Sequence, residues 1–492
     1  GERLQIIDRE GKPLTRGATT EHTLLNAGFN LLGTSLAAQE YWDNHRALDY
    51  LLTRKDIDPE HIGVYGSSGG GTQTAYYIGL DPRVKVAAIC SFFSTRERTM
   101  ELQGPSDGCQ HIPYEGREQL EVPDFALMMA PRPLLILSGK YDFVDLWGAQ
   151  QGYAELQQCY KVLGVPEKVD MLTVETGHGL GVEKRQKLVS WFKRWLKDDQ
   201  SPVKKAAQDR FQLSDMLCTT RGQVNVSMPG ALSIMQENVN QLDEWASKRE
   251  AFLSKGKKTV QAKMLDLLGL KGLPDHKIRI EATGHDSMRE YEQYKFQLIR
   301  EGEMPVPCIL IIPSRANADS PVELRLQEEG KGTYLSEYAN FAAALTEGKI
   351  LLLADLRGLG ETTDPAFYTD AKYWNREYRN AMISMHIGRP IMGQRVVDIL
   401  TLLDFCSEHE FLKGHSVKVF ANGIYGPAAI HAAYLDERIN SVEITHSVKT
   451  WKEYIERPMQ WDMYSNVLYG ALKYYDLPDL IRLSNRSIRF AD

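Results

Sequence analysis

The chain has 492 residues, of which 43% are hydrophobic and 25% are charged, and its formal net charge is −7. This composition supplies enough apolar material for two or three domain cores, and the mildly acidic charge gives no electrostatic attraction to nucleic acid or to an anionic membrane. No apolar run approaches the roughly 18 residues that span a bilayer, and six cysteines without a C-x-x-C pair exclude a disulfide scaffold.

Predicted helices and strands alternate through the first 200 residues. Apolar positions on one face predict a helix over 42–54, followed by a strand over 62–65, a glycine turn and a helix that ends near residue 77. Strands over 84–90, 134–137 and 169–174 follow, and a helix over 183–196 comes last. This alternation predicts a mostly parallel sheet that is buried on both faces.

The rest of the chain predicts a connector and a second domain. Residues 200–275 contain a predicted strand over 223–227 and a predicted helix over 238–268, where glycine and proline are scarce. Strands are then predicted over 308–312, 322–326, 350–354, 416–420 and 439–445, with a helix over 396–406. We therefore predict a catalytic domain over 1–199, a largely helical connector over 200–275 and a second domain over 276–492.

An internal repeat relates the two predicted domains. Gly33 and Asp49 recur as Gly388 and Asp404, and the offset is 388 − 33 = 355 residues in both cases. The run Leu-Asp-Pro-Arg at 80–83 recurs as Leu-Asp-Glu-Arg at 435–438 without any gap. The repeat predicts two tandem α/β domains with mostly parallel sheets. Its copies differ in extent, and we expect an N-terminal portion of the native chain to precede Gly1 and supply the early strands of the first copy.

The glycine turn carries the clearest chemical motif. Residues 66–70 read Gly-Ser-Ser-Gly-Gly, a G-x-S-x-G pattern centred on Ser68. Between a strand and a helix, this pattern predicts a tight turn that exposes Ser68 as a nucleophile and presents the Gly69 N–H to a developing oxyanion. Because glycine-serine turns are common, the motif alone fits a plain turn equally well.

A serine nucleophile needs a base and an orienting acid, which follow successive strands in this kind of sheet. Asp142 follows the strand over 134–137 and is the favoured acid; Asp145 is the alternative, and either residue could instead cap the next helix. His178 lies between two glycines just after the strand over 169–174, so it is the predicted base rather than a loop histidine that contacts only water. The order and placement predict a triad of Ser68, Asp142 and His178.

Three further residues lie in the loop after the strand over 84–90. His111 and Arg96 are predicted as weak substrate contacts, although Arg96 could equally be a solvated charge. Cys109 and His111 together offer two donors, which is short of a four-ligand metal site, so the sequence predicts no metal and no cofactor.

The second copy lacks the nucleophile. Its equivalent position is 68 + 355 = 423, which is Gly423, and no serine, cysteine or aspartate stands in the turn. We predict that this domain is degenerate and structural, with carbohydrate or partner binding as the alternative.

These residues resemble the α/β-hydrolase superfamily, and within it the two-copy bacterial acetyl xylan esterase and dienelactone-hydrolase-like group. Segments 42–51, 65–70 and 177–179, together with Ser138-Gly139 and Asp142, carry the resemblance. The resemblance implies a secreted or periplasmic serine esterase that removes acetyl or methyl esters from plant polysaccharides or oligosaccharides, without a nucleic-acid partner or a membrane span.

Two other hypotheses about the function stay open. A prolyl-oligopeptidase-like serine peptidase shares the serine turn and the order of acid and histidine, but it would normally carry a β-propeller with repeats of about 40–50 residues, which the sequence lacks. A non-catalytic carbohydrate-binding protein would keep the sheet and tolerate loss of the triad.

Overall fold

In the computed structural model, which describes residues 6–8, 10–203, 211–365 and 374–491, the first sheet consists of four strands. Their order in space follows their order in the chain, and every neighbouring pair is parallel, as the sequence predicted. The four strands are β1 (Gly63–Ser67), β2 (Val86–Cys90), β3 (Leu134–Gly139) and β4 (Val169–Val174).

Among the described residues, eight helices lie in the same part of the chain as this sheet, and several of them cover its two faces. They are α1 (Ala18–Leu31), α2 (Leu36–Leu52), α3 (Gly69–Ile78), α4 (Arg96–Gln103), α5 (Val122–Leu127), α6 (Leu146–Val162), α7 (Val182–Lys197) and α8 (Val224–Ser227).

The core of the first sheet lies on both of its faces. Successive side chains of a strand point to opposite faces, so Ile89 and Ile136 pack with residues of α2, α3, α5 and α6. Leu135 and Leu137 point the other way and pack against α7, where Leu188 and Trp191 are buried. Burial on both faces explains why these strands read as continuous apolar runs in the sequence.

The second sheet has eight strands in the order β12-β11-β10-β8-β9-β7-β6-β5. The five strands from β12 to β9 run parallel, whereas β7, β6 and β5 are antiparallel to their neighbours. The strands are β5 (Arg279–Ser287), β6 (Tyr291–Ile299), β7 (Val306–Pro313), β8 (Val322–Leu326), β9 (Ile350–Ala354), β10 (Val417–Asn422), β11 (Ile439–Thr445) and β12 (Ser487–Phe490).

The helices of the second half precede and separate these strands. They are α9 (Ile234–Leu253), α10 (Lys257–Leu267), α11 (Lys331–Ser336), α12 (Tyr338–Thr346), α13 (Tyr378–His386), α14 (Ile391–Glu408), α15 (Gly426–Leu435), α16 (Lys452–Glu456) and α17 (Leu477–Leu483). Both sheets are therefore of the α/β type, which confirms the predicted fold class.

The chain divides into two compact units. The first comprises Gly1–Asn26 and Ser35–Ala231, and the second comprises Ala27–Thr34 and Leu232–Asp492. Each unit contains one of the two sheets. Among the described helices, none combines the length and the apolar character that a membrane crossing requires.

The order of elements from β1 to β3 recurs from β10 to β12. In each copy a strand leads through a glycine turn into a helix, a second parallel strand follows, and a short capped helix precedes the third strand. The side chains repeat as well, because one arginine bridges two aspartates at 2.6–2.7 Å in each unit: Arg83 with Asp49 and Asp81, and Arg438 with Asp404 and Asp436.

Two predictions about the connector differ from the structure. The predicted strand over 223–227 is wrong, because Val224–Ser227 forms a short helix in which the Gln223 side chain accepts a hydrogen bond from the Asn225 N–H at 3.1 Å. The predicted single helix over 238–268 is two helices, α9 and α10. They are separated at Gly256, whose φ of +91° lies in the region that favours glycine.

Candidate active site

Ser68 lies at a strained turn between β1 and α3. Its backbone has φ 58° and ψ −123°, which a residue with a side chain rarely adopts. The Ser68 N–H donates to the carbonyl of Cys90 at 3.0 Å, which ties the turn to the end of β2. The Ser68 side chain makes no capping bond to α3, a helix whose residues are all described. The hydroxyl is therefore held at the carboxyl edge of the sheet without serving the helix.

Close packing of glycines forms this turn. A Cβ at Gly66 would lie 1.9 Å from the Gly70 carbonyl oxygen, and a Cβ at Gly71 would lie 2.8 Å from the Cys90 carbonyl oxygen. A Cβ at Gly70 would meet no heavy atom within 4 Å. The structure thus requires glycine at Gly66 and Gly71, whereas Gly70, the last glycine of the G-x-S-x-G pattern, has room for a side chain.

Gly69 is the first residue of α3. The first N–H groups of a helix have no acceptor within the helix and carry its positive dipole end. The Gly69 N–H thus lies beside Ser68 with the character that an oxyanion donor needs.

Asp142 and His178 are directly hydrogen-bonded. His178 Nδ1 lies 2.8 Å from Asp142 Oδ1, and the Asp142 side chain is 1% exposed whereas that of His178 is 29% exposed. The Phe143 ring stacks on the imidazole, with centroids 4.2 Å apart and planes inclined by 20°. The pair therefore consists of a buried carboxylate that orients a partly exposed ring, whose Nε2 is on the side away from the acid.

The Asp142 carboxyl group is held in its ionised form. Burial raises its pKa, but hydrogen bonds from His178 at 2.8 Å and from the Val144 N–H at 3.1 Å, together with the nearby Ser91 hydroxyl, outweigh burial and leave the pKa below its usual value. An ionised acid next to Nδ1 keeps the proton on that nitrogen and leaves Nε2 free to accept one.

Ser91 and Lys184 hold the loop that carries His178, and sequence reasoning missed both. Ser91 follows β2, and its hydroxyl accepts from the Gly179 N–H at 3.1 Å. Lys184 is buried in α7, and its Nζ donates to the Gly179 carbonyl at 2.9 Å and to Ser91 Oγ at 3.2 Å. A backbone φ of 48° at Ser91 accompanies this arrangement. The one faint signal in the sequence was a serine directly after the end of a predicted strand.

The sheet brings the three predicted triad residues to one edge. Ser68 directly follows β1, Asp142 comes three residues after β3, and His178 comes four residues after β4. The loop after β4 reaches across to β2, because Gly179 bonds to Ser91, and Ser68 bonds to Cys90 at the end of the same strand.

The alternative acid has another role. Asp145 is the N-cap of α6, where its Oδ2 accepts from the Gly148 N–H at 2.6 Å, and it also lies 3.4 Å from Arg98. Of the two candidate acids, only Asp142 is hydrogen-bonded to His178 among the described contacts.

The two weak substrate contacts are both buried. Arg96 is 2% exposed; its guanidinium forms an ion pair with Glu115 at 3.1 Å and donates to the Tyr76 hydroxyl and the Gln110 carbonyl at 2.9 Å each. These bonds occupy the group that would bind a substrate carboxylate, so the structure gives Arg96 a role in packing the loop. His111 is 3% exposed, and its predicted substrate contact stays a prediction.

The equivalent turn of the second unit is filled by a carboxylate. Gly423 has φ +60°, and a Cβ there would lie 1.7 Å from Glu328 Oε2. The same carboxylate accepts a hydrogen bond from the Ile424 N–H at 3.0 Å. Ile424 is the counterpart of Gly69 in the repeat, since 69 + 355 = 424. The position where a nucleophile and an oxyanion would stand therefore holds Glu328, which fits the predicted degenerate character of this unit.

Residues 31–199 match the model of the prolyl oligopeptidase family. The chain is also similar to the protein YtaP of Bacillus subtilis (strain 168), which its name assigns only provisionally to the hydrolases. The two are 26% identical over 168 residues. That stretch is 34% of this chain and 56% of the relative, so the chain spans little more than half the length of the curated relative it matches.

Solved structures with similarity include two esterases. The acetyl xylan esterase of Paenibacillus sp. R4 is 14% identical, with a TM-score of 0.31 over 52% of this chain and 92% of that one. The glucuronoyl esterase of Solibacter usitatus is 11% identical, with a TM-score of 0.36 over 49% of this chain and 75% of that one.

Proposed function

From a first unit of the α/β-hydrolase type, we propose that the protein is a serine esterase that removes acetyl or methyl groups from esterified plant polysaccharides. The observation that carries the proposal is the hydrogen bond of 2.8 Å between His178 Nδ1 and the buried Asp142 carboxylate, at the sheet edge where the strained Ser68 turn also lies. The choice of a polysaccharide ester rests on the motifs at 42–51, 65–70 and 177–179.

The proposed reaction has two stages. His178 Nε2 accepts the Ser68 proton as the Ser68 oxygen attacks the ester carbonyl, and the Gly69 N–H donates to the developing oxyanion. The imidazolium then gives its proton to the departing sugar or methanol oxygen, which leaves an acyl group on Ser68. Water then gives a proton to His178 and attacks the acyl carbon, and His178 passes that proton to the Ser68 oxygen as the bond to the acyl group breaks and the acid leaves.

Asp142 acts on His178 rather than on the substrate in this scheme. Its negative charge stabilises the imidazolium and fixes the tautomer that presents Nε2 to Ser68. The Ser91 hydroxyl and the Lys184 ammonium position the backbone of the same loop.

Peptide-bond hydrolysis is a second candidate, because the prolyl oligopeptidase model matches residues 31–199. The same three side chains can also catalyse attack of Ser68 on an amide carbonyl. The chemistry of the site therefore does not distinguish an esterase from a peptidase. The strands in the described residues form two sheets of four and eight strands, and no propeller blade occurs among them.

The test is product release by the protein expressed from its complete coding sequence. Acetate and methanol are measured with a panel of acetylated and methyl-esterified plant polysaccharides, and proline amides are assayed in parallel. We expect ester hydrolysis that Ser68→Ala reduces by about 10⁴-fold or more, while Ser67→Ala, the adjacent serine, serves as the matched control. Cleavage of proline amides without ester hydrolysis would instead support the peptidase, and hydrolysis unaffected by Ser68→Ala would contradict both candidates.

A further inference from the structure

We propose that His22, Glu40 and Cys109 form a zinc site in the first unit. The three residues come from different elements: His22 from α1, Glu40 from α2 and Cys109 from the 3-10 turn Gly108–Gln110. Their possible ligand atoms all lie within 4.8 Å of one another. The inference is independent of the proposed esterase activity.

The distances fit a tetrahedral zinc ion. Zinc bonds are about 2.0–2.1 Å to histidine nitrogen, 2.0–2.2 Å to carboxylate oxygen and 2.3 Å to thiolate sulfur, so two ligands of a tetrahedron lie roughly 3.4–3.6 Å apart. His22 Nδ1 lies 3.4 Å from Cys109 Sγ and 3.5 Å from Glu40 Oε1. Two edges of the coordination tetrahedron are therefore already at the required length.

The donor set also selects zinc over other common metals. A thiolate and an imidazole favour zinc or another late transition metal, whereas calcium and magnesium prefer oxygen ligands only. Three protein ligands leave a fourth position for water, as in zinc sites that are not closed. The Cys109 residue is buried, and the His22 and Glu40 side chains are 32% and 16% exposed, so the cluster is partly open to solvent.

Negative charge already surrounds the sulfur. The Glu40 carboxylate lies in the same cluster as Cys109 Sγ, and the Asp107 carboxylate belongs to the residue two positions before Cys109. A divalent cation placed between these groups would offset their mutual repulsion, because it is attracted to every one of them.

The elements that carry the ligands are fixed by bonds of their own. The Gly108 N–H donates to Thr23 Oγ1 at 2.9 Å, which attaches the 3-10 turn next to His22 on α1. The Leu36 N–H donates to Asn26 Oδ1 at 2.9 Å, which attaches the start of α2 to the same helix. The three ligands are thus held in place without the metal, and zinc would join the long loop after β2 to α1 and α2.

From the sequence, only Cys109 and His111 were considered as metal donors, and two donors predicted no metal site. The structure pairs Cys109 with His22 and Glu40, which lie 87 and 69 residues earlier in the chain, so spacing along the sequence could not reveal the site. The competing explanation is a trio of hydrogen-bonded side chains that binds no ion.

The test is a titration of the chelator-treated protein with Co²⁺, which reports a coordinated thiolate by its sulfur-to-cobalt charge-transfer absorption, followed by displacement with Zn²⁺. We expect one equivalent to bind with this absorption, and Zn²⁺ to raise the melting temperature. Cys109→Ser should abolish both effects, whereas Cys218→Ser, an exposed thiol elsewhere in the unit, should keep them.

Two further observations keep the proposal falsifiable if Cys109→Ser does not fold. Glu40→Gln, which conserves shape, should weaken Zn²⁺ affinity by at least about 10-fold while the circular dichroism spectrum is unchanged. No charge-transfer absorption in the wild type, or an absorption lost in Cys218→Ser but kept in Cys109→Ser, would overturn the site.

Discussion

The turn around Ser68 offers a matched pair of substitutions that differ only in the space available. Gly66→Ala places a Cβ 1.9 Å from the Gly70 carbonyl oxygen, where ordinary contact begins at 3.4 Å, so that carbonyl must retreat by about 1.5 Å. The Thr74 hydroxyl, which donates to the same carbonyl at 2.8 Å, would also be 2.7 Å from the new Cβ. Gly70→Ala adds the same methyl group to the same turn and meets no heavy atom within 4 Å.

The magnitude follows from the displacement. Overpacking of this kind costs about 1–3 kcal/mol of folding free energy, and a displacement of about 1 Å at a catalytic group costs about 10²-fold in rate. We expect kcat/KM of Gly66→Ala to fall about 100-fold or more, and Gly70→Ala to keep its activity and gain up to about 1 kcal/mol from the better helix former in α3.

Ester hydrolysis and urea unfolding of both variants, measured beside the wild type, provide the assay. Comparable losses in both variants, or full activity in Gly66→Ala, would refute the assignment of Gly66 as the residue that allows the turn to close.

Three other substitutions test further contacts. Lys184→Met removes the ammonium beneath the loop of His178, so kcat in steady-state kinetics should fall about 10–100-fold with KM nearly constant, and a change in KM alone would contradict a positioning role. Burial lowers the pKa of His431 to about 4, so the unfolded chain binds the extra proton as pH falls from about 6.5 toward 4. Stability to urea should therefore drop by roughly 3 kcal/mol over that window, and His431→Asn should flatten the profile; equal slopes would exclude His431 as the cause. Gly423→Ala should cost about 1–3 kcal/mol by urea unfolding because of its positive φ and the nearby Glu328 carboxylate, and less of this cost should remain in a Glu328→Ala background, whereas an equal cost in both would rule out the contact.

The sequence predicted the features that depend on local pattern. The apolar run at 134–137 is a strand because both faces of a parallel sheet are buried. Asp142 and His178 were predicted as acid and base because each comes shortly after such a run, and the carboxyl ends of parallel strands meet at one edge. Their hydrogen bond of 2.8 Å agrees with that placement, while their catalytic roles stay a prediction. The pattern also indicated that Asp145 could cap a helix, and it is the N-cap of α6.

Features that depend on contacts distant in sequence escaped prediction. Lys184 belongs to an amphipathic helix, whose pattern predicts a surface residue. In the structure, the loop of His178 folds over Lys184 and buries it. From the sequence, Arg96 could be a solvated charge. Its ion-pair partner Glu115 lies 19 residues further along the chain, and both side chains are buried. At 223–227 the sequence pattern suggested a strand, but the Gln223 side chain stabilises a helical turn there by accepting from the Asn225 N–H.

The proposed esterase mechanism requires that Ser68 is a nucleophile whose proton His178 accepts. The most direct measurement is covalent labelling with a fluorophosphonate, in which peptide mass spectrometry locates the adduct and intact mass gives its rate of formation. We predict a single adduct on Ser68 that forms at least about 10³-fold more slowly in His178→Ala and Asp142→Asn, and at the wild-type rate in Asp145→Asn, which keeps a good helix cap. An adduct on another residue, or labelling of Ser68 at the wild-type rate in His178→Ala, would contradict the triad.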